Sequence, residues 1–143
     1  PHYSMIDRRI EKDVLPFCRK RNIAVLTYSP LEQGILTGKV TPARQFGPDD
    51  RRTRQPWFQE KNLWRVLALL DRIRPIAEDY GKSLAQLAIA WVLAQPGVTC
   101  AIVGGRRPEQ VEHNAGGAGW RLTETELRQI RAELDTLGQP GNE

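Results

Sequence analysis

Two short runs of strand-forming residues, Ile23-Ala24-Val25-Leu26-Thr27-Tyr28 and Thr99-Cys100-Ala101-Ile102-Val103, do most to restrict what this chain can fold into. Both are almost continuously apolar, the pattern of strands covered on both faces, and the patterned stretches between them are helical. Strands so far apart leave room for a complete crossover, so they are expected to pair in parallel under a layer of helices. The expected fold class is therefore α/β. Two strands alone make a poor sheet, however. Each keeps an unpaired edge, and Val25, Leu26, Ile102 and Val103 need cover on more than one face. The pattern asks for strands that these 143 residues do not contain.

The helices follow from spacing and caps. A first helix is expected over about Arg8–Arg21, capped by Asp7, with Ile10, Val14, Phe17 and Cys18 on one face and Pro16 as its weak point. Ser29-Pro30 stops the first strand, and a segment punctuated by Gly34, Gly38, Pro42, Gly47, Pro48 and Pro56 reads as loop with one short helical turn near Gly34–Gly38. Residues 40–61 are expected to be flexible, and loops this long in compact domains usually bind something. Asn62 is expected to cap a helix to about Tyr80 that buries Leu63, Val66, Leu67, Leu70, Ile73 and Ala77, with Pro75 as a kink and Gly81 as its end. Ser83-x-x-Gln86 and Thr123-x-x-Glu126 are capping boxes that open two further helices, and Pro108 stands at a favourable first helical position for a third.

Composition removes several classes of function. Charged residues at 27% and hydrophobic residues at 40% describe a globular chain, and no apolar run approaches the ~20 residues of a membrane span. No secretory signal is expected with His2, Asp7, Arg8 and Arg9 near the start. Cys18 and Cys100 stand apart, without a CxxC pair or a nearby histidine, so they read as buried structural thiols in a reducing cytoplasm rather than a metal site. The formal charge is +4, and Arg51-Arg52-Thr53-Arg54 precedes Trp57-Phe58, but Asp49-Asp50 lie beside it and no nucleic-acid motif accompanies it. A solvated loop is the expectation there, with no nucleic-acid or membrane partner. The chain opens Pro1-His2-Tyr3-Ser4, without methionine, and reads as a segment of something longer.

Chemistry concentrates in the two turns that leave the strands. After the first strand comes Tyr28-Ser29-Pro30-Leu31-Glu32-Gln33-Gly34. An aromatic at the carboxyl end of a parallel strand faces the mouth where α/β proteins bind ligands, and Gly34 and Gly38 let backbone approach one closely. After the second comes Gly104-Gly105-Arg106-Arg107-Pro108. Two glycines feeding a helix start offer free backbone N–H groups to a phosphate, and Arg106 adds a forked, permanently charged donor. Gln110 and Asn114, four apart, share one helix face and suit the edge of a base. Parallel strands bring both turns to one end of the sheet, a layout for an extended nucleotide. The second turn is neither GxGxxG nor a P-loop.

Five stretches now resemble one family. Tyr28-Ser29-Pro30-Leu31-x-x-Gly34-x-Leu36-Thr37-Gly38 resembles the seventh-strand signature of aldo-keto reductases, and Gly104-x-Arg106-x-Pro108-Glu109-Gln110-x-x-x-Asn114 their eighth. Ala85-Gln86-Leu87-Ala88-x-x-Trp91-Val92-Leu93 is similar to the helix before the last strand, and Trp120-Arg121-Leu122-Thr123 to the entry into the final helix. Tyr3-Ser4 is similar to the stretch after the sixth strand.

The resemblance implies one partial domain over 1–143, the C-terminal portion of a (β/α)8 TIM barrel, in an oxidoreductase that reduces aldehydes and ketones with NADPH. By that analogy Tyr28 stacks on the nicotinamide, and Ser29, Pro30, Leu31 and Gly34 line the pyrophosphate path. Gly104 and Arg106 meet the adenosine 2′-phosphate, and Gln110 and Asn114 the adenine. The family's catalytic Asp, Tyr, Lys and His belong to the first four strands, and nothing here matches them. Gly105 and His113 depart from the family's commoner residues. The implied partners are a small carbonyl substrate and either the missing N-terminal half or another copy of the chain. Two alternatives stand beside this reading: an NADPH-binding regulatory module like channel β subunits, and a half-barrel that works only by self-assembly.

Overall fold

The computed structural model describes residues 1–141. Two strands, β1 (Leu26–Tyr28) and β2 (Cys100–Ile102), pair in parallel with Leu26 opposite Cys100 and Tyr28 opposite Ile102. α1 (Val14–Lys20) precedes β1; three 3-10 turns (Glu32–Thr37, Arg51–Arg54 and Pro56–Phe58), α2 (Glu60–Glu78) and α3 (Leu84–Leu93) run between the strands; and α4 (Pro108–Ala115) and α5 (Glu124–Leu137) follow β2.

Both expected capping boxes form. Ser83 Oγ accepts from the Gln86 N–H while Gln86 returns a bond to the Ser83 N–H, and Thr123 and Glu126 repeat the arrangement at α5. Pro108 opens α4 as expected. The first helix differs: it breaks into a 3-10 turn (Arg9–Glu11) and α1, so that Pro16 falls in the first turn of α1, where its missing N–H has no partner to lose. Neither Asp7 nor Asp13 caps α1. Asn62 is not a cap either. The chain turns through Pro56–Phe58 and starts α2 at Glu60, leaving Asn62 buried, with its amide donating to the carbonyls of Pro56 and Gly141.

The core lies between the helices and one face of the sheet. Val66, Leu69, Leu70 and Ile73 of α2 pack with Leu87 and Trp91 of α3 and with Ile130 and Leu134 of α5. Val25 and Thr27 point into this layer. The opposite face is open: Leu26 is 50% and Ile102 53% exposed, with Tyr28 and Cys100 beside them. Cys100 is thus not the buried thiol the sequence led us to expect, because it alternates onto the open face. One edge expected to be unpaired is covered. Pro1–Tyr3 runs parallel to β1, the Tyr28 N–H donating to Pro1 O and the Tyr3 N–H to Tyr28 O. Within 40–61, 3-10 turns form over Arg51–Arg54 and Pro56–Phe58, Trp57 is buried, and Arg52 lies 4.2 Å over the Phe46 ring.

Candidate functional site

Parallel pairing sends the chain out of both strands at the same end, so the two glycine-bearing turns lie side by side. The first is tightly wound. Ser29, Glu32 and Gln33 adopt left-handed backbone at φ 58°, 46° and 53°, joined by Gly34 at φ 97°. Three non-glycine residues in that region each carry strain, and such strain clusters where ligands bind. The turn is held from within: the Glu32 N–H donates to Ser29 O, the Gly34 N–H to Leu31 O, and Thr37 Oγ1 to Gly34 O. A Cβ built on Gly34 meets no heavy atom within 4 Å, so the backbone there is open to close approach. Tyr28 projects from the strand end, half exposed, with the His2 ring stacked on it at 5.3 Å between centroids and 17° between planes.

The second turn is held by the two residues expected to read a base. Gln110 Oε1 accepts from the Arg106 N–H at 2.8 Å, and Asn114 Nδ2 donates to Gly104 O at 3.3 Å. Each side chain therefore braces the loop on which Gly104 and Arg106 sit. Arg106 is exposed, and among the described residues it forms no ion pair. Gly104 faces open space, whereas a Cβ on Gly105 would stand 2.7 Å from Val111 Cγ2, which favours the smallest residue there. Asp50, from the long loop, sits within reach of Arg106's charge, although its own partner is Arg52; hydrogen bonds from Arg52 hold its carboxyl down to about 2. His113 is a surface residue whose Nε2 meets Ser83 Oγ at 2.8 Å, tying α4 to the start of α3.

A further group escaped the sequence reading. His2, Ser4, Asp7 and Glu32 meet beneath Tyr28, with Glu32 Oε2 2.6 Å from Ser4 Oγ and 2.9 Å from His2 Nε2. The available signal was the single acid of Leu31-Glu32-Gln33-Gly34, the one charged side chain in a glycine-bearing turn. Burial pushes this carboxyl up, against the Ser4 hydrogen bond and the charge of His2. At Asp7 burial also works upward, but the hydrogen bonds and charge of Arg9 outweigh it and hold that carboxyl below its usual range. Among the described residues no three His, Cys, Asp or Glu side chains are placed to hold a metal ion, and no helix is long and apolar enough to cross a membrane.

Helices over one face of a parallel sheet, with the opposite face open, fit a portion of a (β/α)8 barrel. Residues 1–135 match the Aldo/keto reductase family, and the chain belongs to it. It is 36% identical over 135 residues to the NADH-specific methylglyoxal reductase of Escherichia coli, covering 94% of this chain and 41% of that protein. It is 35% identical over 142 residues to the aldo-keto reductase YhdN of Bacillus subtilis, covering 98% and 43%. Among solved structures, the glycerol dehydrogenase AKR11B4 from Gluconobacter oxydans superposes on the whole chain with a TM-score of 0.90 and 37% identity, over 43% of its own length. The chain thus spans about two fifths of the relatives it matches, and corresponds to the C-terminal part of their barrel.

Proposed function

We propose that this chain is the cofactor-binding part of an NADPH-dependent reductase of aldehydes and ketones. The observation that carries the reading is the convergence of two built turns at one end of a parallel sheet. Tyr28 presents a half-exposed flat ring, and Gly104 and Arg106 form an open, unpaired cationic corner at the start of α4. The residues fit an extended dinucleotide: Tyr28 for the nicotinamide, Ser29, Pro30, Leu31 and Gly34 for the pyrophosphate path, Arg106 for a 2′-phosphate, and the face of Gln110 and Asn114 for the adenine end.

When bound, the nicotinamide supplies a hydride. This chain's residues bind and orient its carrier, and the acid that protonates the developing alkoxide comes from the part of the barrel the relatives carry outside the matched region. NADPH rather than NADH is favoured by Arg106, since a free guanidinium beside a glycine corner is a binding group that NADH leaves unused. A relative named as NADH-specific makes this choice the one to test.

Quenching of tryptophan fluorescence by NADPH in the full-length gene product measures binding, and oxidation of NADPH by a simple aldehyde measures turnover. Both are expected there. The 143-residue chain on its own is expected to show no turnover, because general acid catalysis contributes ~10²–10⁴-fold and no acid is positioned. Aldehyde reduction by the isolated chain at a rate near that of the full-length protein would refute this assignment.

A further inference from the structure

Beneath Tyr28 lies a cluster of ionisable residues that cofactor binding alone does not require. Glu32 is 5% exposed and sits at φ 46°, so neither its burial nor its backbone is the default for a glutamate. His2 is clamped between two acids: Nε2 is 2.9 Å from Glu32 Oε2 and Nδ1 is 3.2 Å from Asp7 Oδ2. Asp7 is gripped in turn by Arg9, through Nε at 2.8 Å and Nη2 at 2.6 Å. The His2 ring lies flat against Tyr28. Asp7, Glu32, Arg9 and Tyr28 are the titratable groups that face the ring.

Proton counting gives this arrangement a consequence. A neutral imidazole has one N–H, yet both nitrogens face carboxylate oxygens. Satisfying both contacts takes one extra proton, held by His2 or by Glu32 and shared between them. With that proton the charges of His2, Glu32, Asp7 and Arg9 sum to zero. Without it they sum to one negative charge. The change occurs one ring away from the surface assigned to the nicotinamide, whose oxidised ring is a cation and whose reduced ring is neutral.

We propose that His2, clamped between Asp7 and Glu32, is a positioning residue that makes the site discriminate between the oxidised and the reduced cofactor according to the proton it shares. This rests on the reading that Tyr28 is the nicotinamide platform. The protonated cluster disfavours the cationic ring, and the deprotonated cluster attracts it. A change of one unit of charge beside the Tyr28 ring, partly screened by solvent, changes a binding constant roughly three- to tenfold.

The test is the ratio of the dissociation constants of NADP+ and NADPH for the full-length protein, measured by fluorescence titration from about pH 6 to about pH 9. Titration of the 2′-phosphate affects both cofactors and cancels in the ratio. The ratio is expected to fall roughly three- to tenfold as pH rises. His2→Gln keeps a donor toward Glu32 and has no titrating ring, and is expected to flatten the ratio. Glu32→Gln keeps the bonds to Ser4 and His2 but takes away the acid that shares the proton, and is expected to move the change in ratio to lower pH; it decides the matter if His2→Gln does not fold. A flat ratio in the natural protein, or variants that titrate as it does, would overturn the proposal. Failure to bind either dinucleotide would overturn the cofactor assignment, and this inference with it.

Discussion

Replacing Arg106 by alanine separates recognition of a phosphate from support of the fold. The structure makes the substitution clean: the Arg106 side chain is exposed and forms no ion pair among the described residues, and what fixes the turn is the backbone N–H of residue 106 on Gln110 Oε1 at 2.8 Å, a bond alanine keeps. Gly104 O stays bonded to Asn114 Nδ2. The loss is therefore confined to the guanidinium. A hydrogen bond to a charged group is worth about 1.5–3 kcal/mol, so NADPH binding should weaken by roughly 10- to 100-fold. NADH, which has no 2′-phosphate, should bind nearly as before, and Arg106→Lys should lie between, since an ammonium keeps the charge and loses the fork. Titration calorimetry of the full-length protein with both cofactors reads these numbers directly. An equal loss for NADPH and NADH would refute the reasoning and assign Arg106 to the turn itself.

Other consequences concern the frame. Gly117→Ala would place a Cβ 2.9 Å from both Gln86 O and Ile89 Cβ on α3, where backbone has nowhere to go. A destabilisation of about 1–3 kcal/mol is expected, a fall in Tm of roughly 3–12 °C by calorimetry, while Gly104→Ala, facing open space, should leave Tm within about 2 °C. With Leu26 and Ile102 about half exposed on the open sheet face, the isolated 143-residue chain should self-associate; Leu26→Lys together with Ile102→Lys should return it to monomer in sedimentation velocity. A monomeric natural chain at concentrations of tens of micromolar would count against that.

What the sequence made legible was whatever is decided locally. Ser83, Thr123 and Pro108 set helix starts through bonds that span three or four residues, and each forms where the pattern puts it. Strand class and direction followed from apolar runs and their separation. The misplacements have a common cause, in that distant groups compete for the same atoms. Asn62 is a good cap by type, but the carbonyls of Pro56 and Gly141 claim its amide. Phe17 and Val14 have helical spacing, yet α1 turns them outward at 56% and 40% exposure. The Pro1–Tyr3 pairing rests on one bridge, too short to leave a period in the sequence. At the site, the residues of both turns could be named, but not that Gln110 and Asn114 brace the second turn, nor that His2 and Glu32 meet across 30 positions.

The same division explains how a chain spanning two fifths of its relatives' length holds its two turns in place. In this chain the helices bury their apolar stripes mainly against one another: α2 packs on α5 and α3, and Trp91, Leu87, Ile130 and Leu134 are almost wholly enclosed without help from the open sheet face. Burying a large aliphatic or aromatic side chain contributes about 1.5–3 kcal/mol, so the stability of the frame resides in the helical layer rather than in three-residue strands. The two turns are fastened to that layer. Ile35 and Leu36 of the first are fully buried, and the α4 that carries the second is tied to α3 by His113 on Ser83 and by Gln86 on the His113 carbonyl. The two turns are thus positioned from the outer, helical layer. The sheet face on the other side stays open beside them, with Leu26 and Ile102 about half exposed.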